Sequence, residues 1–391
     1  MNWTLKCSVC GTIGHHTTQM TCEECGIWGI LEVEMALELP TALAVGMERY
    51  LPLLPIPEGA KLPPVLVGNT AVCEAPRLAD FFGLSRLRLK DEGRNPSGSL
   101  KDRASWMGAV HAGNRTVACA STGNAASSLA AMCASLGQKA MIFVPERAPA
   151  PKLAQLQVFG ATVFRVAGNY DQAYELCAQA IEHYGWYSRS AAVNPYLVEG
   201  KKTCGLEIAE LEAADWVAVS VGDGCTIAGI WKGLKEMHAL GVLSRLPRLL
   251  GVQAQGAPAV FEEWCSDGDN GPARPPKGAG AQTLADSISV GIPRNWRRAV
   301  RAIQESNGKI VCVSDEAIKE AMRLTARLGG VYGEPAGATA VAGLADSEVT
   351  GSVVAVVSGS GLKDVAGAQA AGGEPHDVSA DLKSVFEILD P

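Results

Sequence analysis

No stretch of this sequence is apolar enough to cross a membrane. Its longest run without a charged residue, Thr116–Gln138, holds eight polar side chains, among them four Ser and two Thr, whereas a spanning helix needs about 20 predominantly apolar residues. The opening MNWTLKCSVC has neither a basic region nor an apolar one, so no export signal is read there. Positive charge is short as well. Against 41 Asp and Glu stand 34 Lys and Arg, a net charge of −7, which is ill suited to gripping a nucleic-acid backbone. Aromatic residues make up only 6% while glycines number 43, and so many tight turns and small-residue helices fit an α/β enzyme better than a β-sandwich. These absences lead us to expect a cytoplasmic protein with no membrane and no nucleic-acid partner.

The remaining composition is that of a folded chain. Hydrophobic residues reach 47% of the 391 and charged residues 19%, enough for a buried core. At about 100–200 residues per domain, the length suggests two or three domains. Four of the 12 cysteines fall in CSVC (Cys7, Cys10) and CEEC (Cys22, Cys25), with eleven residues between the pairs. Each CxxC turn can present two thiolates at about 2.3 Å to one Zn²⁺, and two such turns close a tetrahedral structural site. A unit spanning residues 1–35 is too small to fold on its own core, so the metal would supply its folding energy. That unit carries Lys6 against Glu23, Glu24, Glu32 and Glu34, which favours a structural or docking role over nucleic-acid reading.

Beyond it, residues 40–64 are rich in Pro and Leu and read as a strap. From about residue 65, short apolar runs alternate with helical patterns: VACAS, NAASSLAAMCASLG, KAMIFVP, a helix through 149–160, TVFRV, YDQAYELCAQAIEHYG, WVAVSVG, IAGIWKGLKEMHALG, LLGVQAQ, KIVCVS, a helix from Asp315 and SVVAVVSGSG. This rhythm predicts parallel sheets covered by helices on both faces. SDGDNGPARPPKGAGA at 266–281 reads as a mobile loop, and residues 372–391 are uninformative.

Four loops each follow a predicted strand or open a helix, and ligands of open α/β sheets bind where such loops collect. NPSGSLKDRAS places Lys101 at a helix start, where the dipole helps lower an amine's pKa, as chemistry with an aldehyde cofactor requires. STGNAASS offers Ser121, Thr122, Asn124 and free N–H groups as a carboxylate cradle. VGDGCTIAG can wrap a phosphate with the amides of Gly222 to Thr226, although no Lys-Ser/Thr follows its glycines as in a Walker loop. VVSGSGLKD ends an apolar strand at Ser358. Taken singly, each loop has a plainer reading as a surface lysine, an N-cap or a tight turn.

Taken in order, NPSGSLKDR, STGNAASS, VGDGCTIAGIWKG, GEPAGATAVAGL and SGSGLKD resemble the threonine synthase family of fold type II pyridoxal-phosphate (PLP) enzymes. The resemblance runs from about Leu66 to Gly361 and includes the four-cysteine zinc ribbon that some members carry. It implies a tryptophan synthase β-like α/β fold with two α/β domains: a large one, 36–103 with 194–391, and a small mobile one, 104–193, that closes over the cofactor. The implied roles are specific. Lys101 would bind the cofactor aldehyde and move protons on the bound amino acid. Asn124 would bond the cofactor's 3′-oxygen, while Ser121, Thr122 and nearby amides would take the substrate carboxylate. Gly222, Asp223, Gly224, Cys225 and Thr226 would hold the cofactor phosphate, and Ser358 would meet the pyridine nitrogen. The family also implies a homodimer and a small amino-acid substrate.

One departure bears on the substrate. Members acting on O-phosphohomoserine tend to read NPYR-EG-KT, and this chain reads NPYLVEGKKT, with Leu197 in place of an arginine suited to a phosphate. Lys201, Lys202 and Arg103 are the cations that could stand in. Two readings follow: conversion of O-phosphohomoserine and water to threonine and phosphate, or β-elimination or β-replacement on O-phosphoserine or O-acetylserine, as in cysteate synthase-type chemistry.

Overall fold

The computed structural model describes residues 3–148, 150–266, 271–276, 280–373 and 375–389. Part of the stretch read as a mobile loop, 267–270 and 277–279, lies outside the described residues. So do residues 1 and 2 of the ribbon, residue 149 at the head of a predicted helix, and residues 374, 390 and 391 of the tail.

The chain opens with an antiparallel unit of β1 (Trp3–Cys7), β2 (Thr21–Cys22) and β3 (Gly26–Met35), in the order β1-β3-β2. The strap follows, with one 3-10 turn at Gly46–Leu53 whose Met47, Tyr50 and Leu53 enter the main core. Then β4 (Val72–Glu74), α1 (Pro76–Phe82), β5 (Arg86–Asp91) and α2 (Lys101–Ala112) begin the larger sheet.

The chain next builds a second sheet from β6 (Val117–Ala120), α3 (Asn124–Leu136), β7 (Ala140–Pro145), α4 (Ala150–Val158), β8 (Thr162–Val166), α5 (Tyr170–Tyr184) and β9 (Tyr187–Ser188). Its strands are all parallel, in the order β8-β7-β6-β9. α6 (Tyr196–Ala209) leads back. β10 (Trp216–Ser220), α7 (Cys225–Ala239), β11 (Arg248–Ala254), α8 (Ala259–Cys265), α9 (Trp296–Glu305), β12 (Lys309–Val313), α10 (Asp315–Gly329), α11 (Pro335–Ala342) and β13 (Ser352–Val357) complete the larger sheet. Its order is β12-β11-β10-β13-β5-β4, parallel except for the antiparallel edge strand β4. α12 (Val365–Gly372) and α13 (Leu382–Leu389) end the chain.

The strands explain themselves. All five residues of β10 are buried, as are five of the six in β13, which is why a sheet covered on both faces reads as continuous apolar runs rather than alternation. α3 ends where Gly137 turns left-handed, and α5 starts on an Asn169–Gln172 capping box, each terminus drawing on its expected chemistry. Among the described residues, no helix is long and apolar enough to cross a membrane.

The ribbon is docked rather than free. Glu32 pairs with Arg298 at 2.7 Å, Lys232 donates to the Val33 carbonyl at 2.6 Å, and Tyr196 donates to the Thr17 carbonyl at 2.8 Å. Trp3 meets the Tyr196 ring edge-on, so the ribbon and α6 share one small apolar cluster.

Candidate active site

Lys101 opens α2 at the end of a loop whose every turn is tied down. Asn95 Nδ2 donates to Glu92 Oε2 at 2.9 Å, Ser97 N to Asp102 Oδ2 at 2.8 Å, and Leu100 N to the Ser358 carbonyl at 2.9 Å. The last of these bonds, with a bridge between Ser99 and Gly359, joins the Lys101 loop to the turn after β13. Burial lowers the Lys101 amine to about 8, repulsion from Lys201 and Arg189 adds to the effect, and Cys225 and Glu334 oppose it. An amine so lowered is partly neutral near pH 7.5, as a nucleophile must be.

Asn124 opens α3, and its Nδ2 donates to Glu334 Oε1 at 2.7 Å and Ser287 Oγ at 3.1 Å. Glu334 caps α11, and burial raises its carboxyl to about 7 against the pull of Lys363, Asn124 and Lys101. A further bridge, Gly333 to Ser360, brings the Glu334 turn against the same segment after β13. Lys363 staples these pieces, donating to the Ser97 carbonyl at 2.6 Å and to Ser127 Oγ at 2.7 Å. Ser121 and Thr122 lie in the turn from β6 to α3, where Ser121 Oγ accepts from Gly123 N at 3.2 Å and no side chain caps the helix.

The glycine-rich turn from β10 to α7 brings Cys225 near enough to act on the Lys101 amine. Gly224 sits at φ +96°, and a Cβ there would lie 2.7 Å from the Asn295 carbonyl, so only glycine can open the first turn of α7 in this way. That turn also lacks a side-chain cap. Cys225, its first residue, receives a hydrogen bond from Lys201 Nζ. The Asp223 carboxylate braces the loop instead of facing an anion: it accepts from Arg294 N at 2.8 Å and Asn295 Nδ2 at 2.6 Å.

The structure therefore joins the Lys101 loop to the turn at Ser358 and the Asn124 helix start to Glu334 and Ser287, and it brings Cys225 and Glu334 near enough to Lys101 to act on its amine. It also corrects an expectation. Arg103 and Lys202 are not spare cations. Arg103 binds Glu92 at 2.7 Å and Glu207 at 2.7 Å, and Lys202 binds Glu199 at 2.7 Å and Glu236 at 3.0 Å, all within buried networks. Leu197 is fully buried beside Gly108 of α2. Sequence reasoning missed Arg189, Glu334 and Lys363, whose value lies in their neighbours. Arg189 is buried, with its Nε 2.9 Å from Ser105 Oγ and no carboxylate paired to it among the described residues.

In the ribbon, the Cys7, Cys10, Cys22 and Cys25 sulfurs all lie within 4.8 Å of one another. Gly29 permits this, because a Cβ there would collide with the Cβ atoms of Cys25 and Cys22 at 2.5 and 2.7 Å. Four converging thiols fit a tetrahedral Zn²⁺.

Lys101, its amine lowered to about 8, thus lies near enough to Cys225 at the uncapped start of α7 and to Glu334 at the head of α11 to feel their charges. Residues 64–359 match the family described as "Pyridoxal-phosphate dependent enzyme". The threonine synthase of Methanocaldococcus jannaschii is 35% identical over 98% of both chains, and that of Synechocystis is 37% identical over 88% of this chain and 89% of its own. Among solved structures, maize serine racemase aligns with TM-score 0.63 at 19% identity over 82% of this chain and 91% of its own. The processed form of threonine deaminase isoform 2 from Solanum lycopersicum aligns with 0.65 at 20% over 82% of each chain. Both speak to the fold alone. The chain belongs to the threonine synthase family of pyridoxal-phosphate dependent enzymes.

Proposed function

We propose that this enzyme converts O-phosphohomoserine and water into threonine and phosphate, with PLP held on Lys101. The observation that carries the reading is the Lys101 site: an amine lowered to about 8, chiefly by burial, with Arg189, to which no carboxylate is paired among the described residues, close by to suit an anionic substrate. When bound, the cofactor supplies an electron sink that makes the Cα and Cβ protons of an amino acid labile.

The chain's own residues would do the rest. The α3 amides, with Ser121 and Thr122, hold the substrate carboxylate at a helix start. Asn124, oriented by Glu334 at 2.7 Å, donates to the cofactor's 3′-oxygen, and Ser358 meets the ring nitrogen as a neutral hydroxyl. The amides of Gly222, Asp223, Gly224, Cys225 and Thr226 hold the cofactor phosphate. The Lys101 amine takes the Cα proton and then one Cβ proton, the Cγ–O bond breaks with its electron pair leaving on phosphate, and a proton returns to Cγ, with the Cα proton returned last. Water then adds its oxygen to Cβ. Residues 104–193 would act as a small unit that closes over the site and keeps other water out, apart from a large unit of 36–103 and 194–391.

Incubation with O-phosphohomoserine is expected to release equimolar phosphate and threonine. Turnover of O-phosphoserine or O-acetylserine alone would favour the β-elimination or β-replacement reading, to which the buried Leu197 lends weight. Replacing Asn124 with Ala is expected to lower kcat roughly tenfold or more by losing one charge-assisted bond, while Glu334→Gln should cost less because an amide oxygen still accepts from Asn124. Equal losses in the two variants would separate Asn124 from the cofactor.

Zn²⁺ in the ribbon, a homodimer and a cytoplasmic setting belong to the same proposal. Elemental analysis is expected to find one zinc per chain. A Cys7→Ser, Cys22→Ser double variant should lose it together with the hydrogen-exchange protection of β1 and β3, because metal binding supplies most of such a unit's folding energy. Retained protection without metal would make the thiols incidental.

A further inference from the structure

Lys201 is fully buried on α6, and no carboxylate pairs with it among the described residues. Its sequence neighbour behaves otherwise: Lys202, equally buried, is held by Glu199 and Glu236. Asp223, whose carboxyl senses the Lys201 charge, gives its two oxygens to Arg294 N and Asn295 Nδ2. The contact that Lys201 does make is with Cys225 Sγ, a weak acceptor at the first residue of α7. A buried ammonium with so little to balance it is costly unless an anion arrives. The α7 start shows the complementary deficit, with a Gly224 opening and no side-chain cap to take up its free amides.

We infer that Lys201 is the counter-charge for a phosphate monoester seated at the α7 N-terminus, donating to that phosphate from beside Cys225, and that the monoester is the cofactor's. This rests on the proposed reading of the Gly222–Thr226 turn as the phosphate seat. An uncapped helix start alone would bind an anion weakly; a fixed ammonium beside it adds a charge-assisted bond and selects a dianion. Lys201 would also tie α6 to α7 through the cofactor, because α6 packs Gly200 on the backbone of Arg103, two residues after Lys101.

The test compares PLP with pyridoxal, which has the aldehyde but no phosphate. Binding of each to cofactor-stripped protein is followed by the visible absorption of the lysine adduct. Their ratio cancels any influence of Lys201 on the Lys101 amine, since both ligands need that amine. In Lys201→Gln the preference for PLP over pyridoxal is expected to fall roughly tenfold to a hundredfold, the worth of one hydrogen bond to a charged group, and Lys201→Arg should recover most of it. Circular dichroism of the three proteins checks that they are folded.

An unchanged preference in Lys201→Gln overturns the inference, and so does an equal weakening of both ligands, which would make Lys201 a packing residue. An unchanged preference with a raised KM for O-phosphohomoserine overturns it as well, by giving Lys201 to the substrate's phosphate. Parent protein that binds neither aldehyde would instead remove the underlying site reading.

Discussion

A Lys101→Met chain is expected to lose turnover and, stripped of cofactor, to be more stable than its parent at neutral pH. Both follow from one side chain. The Lys101 amine sits at about 8, against 10.5 for an ordinary lysine, because burial and the Lys201 charge disfavour its protonated form. Below pH 8 the folded and unfolded parent both carry the proton, and the fold bears the whole penalty of burying it. Between pH 8 and 10.5 the folded state sheds the proton while the unfolded chain keeps it, so stability rises with pH; above 10.5 the penalty is gone. At 1.36 kcal/mol per pKa unit the penalty is about 3 kcal/mol.

Methionine has no proton to bury, so the variant should gain up to about 3 kcal/mol at pH 7 and lose that advantage by pH 11. Urea melts of cofactor-stripped proteins at the two pH values measure it directly. Turnover should fall by at least about a thousandfold, within the range for removing a general acid–base group. A variant no more stable than its parent at pH 7 would show that the amine is not under strain.

How much of this was legible beforehand depended on what each element buries. The fully buried parallel strands β10 and β13 and the small-residue helix α3 announce themselves as apolar runs bounded by glycine. α2 and α6 do not. Each is buried on nearly every face while carrying charge, as KDRASWMGAVHA and YLVEGKKTCGLEIA show. Neither has the one-sided apolar stripe from which a helix is read in sequence. The same burial hides the roles of their charges. KK at 201–202 and KDR at 101–103 look like two basic clusters, yet Lys202 and Arg103 are neutralised by glutamates 34 and 104 positions away, among others. Long-range pairing of that kind leaves no local pattern. The motifs around Lys101, Asn124 and Gly222–Thr226 were visible because a helix start must free its amides through short, glycine-rich turns, which is a local requirement. Arg189, Glu334 and Lys363 act through neighbours brought from distant helices and loops, so although Glu334 and Lys363 fall inside GEPAGATAVAGL and SGSGLKD, nothing local shows the contacts they make.

Arg103 is the place where that difference can be measured. Its guanidinium, fully buried, reaches Glu92 Oε2 and Glu207 Oε1 at 2.7 Å each and Thr203 Oγ1 at 2.9 Å, while Lys90 meets Glu207 at 2.6 Å. Burial alone would raise the Glu92 carboxyl, yet Arg103, helped by Lys90, holds it at about 2. Arg103→Leu would strand two buried carboxylates on one lysine, and breaking such a set from one side costs about 3–5 kcal/mol. Arg103→Lys should recover only part of this, because an ammonium cannot span two carboxylates as a planar fork does. The loss should reach the active site, since Arg103 lies in the first turn of α2 and pins it to the turn after β5 and to α6, so a loosened network should also weaken PLP binding. Urea melts of the cofactor-loaded variants, with PLP affinity measured beside them, test this. Were Arg103 instead a grip for the substrate's phosphate, Arg103→Leu would keep the parent's stability and PLP affinity and show only a raised KM for O-phosphohomoserine. A stability loss under about 1 kcal/mol with that change in KM would return the residue to the substrate, since a broken buried network costs several times more.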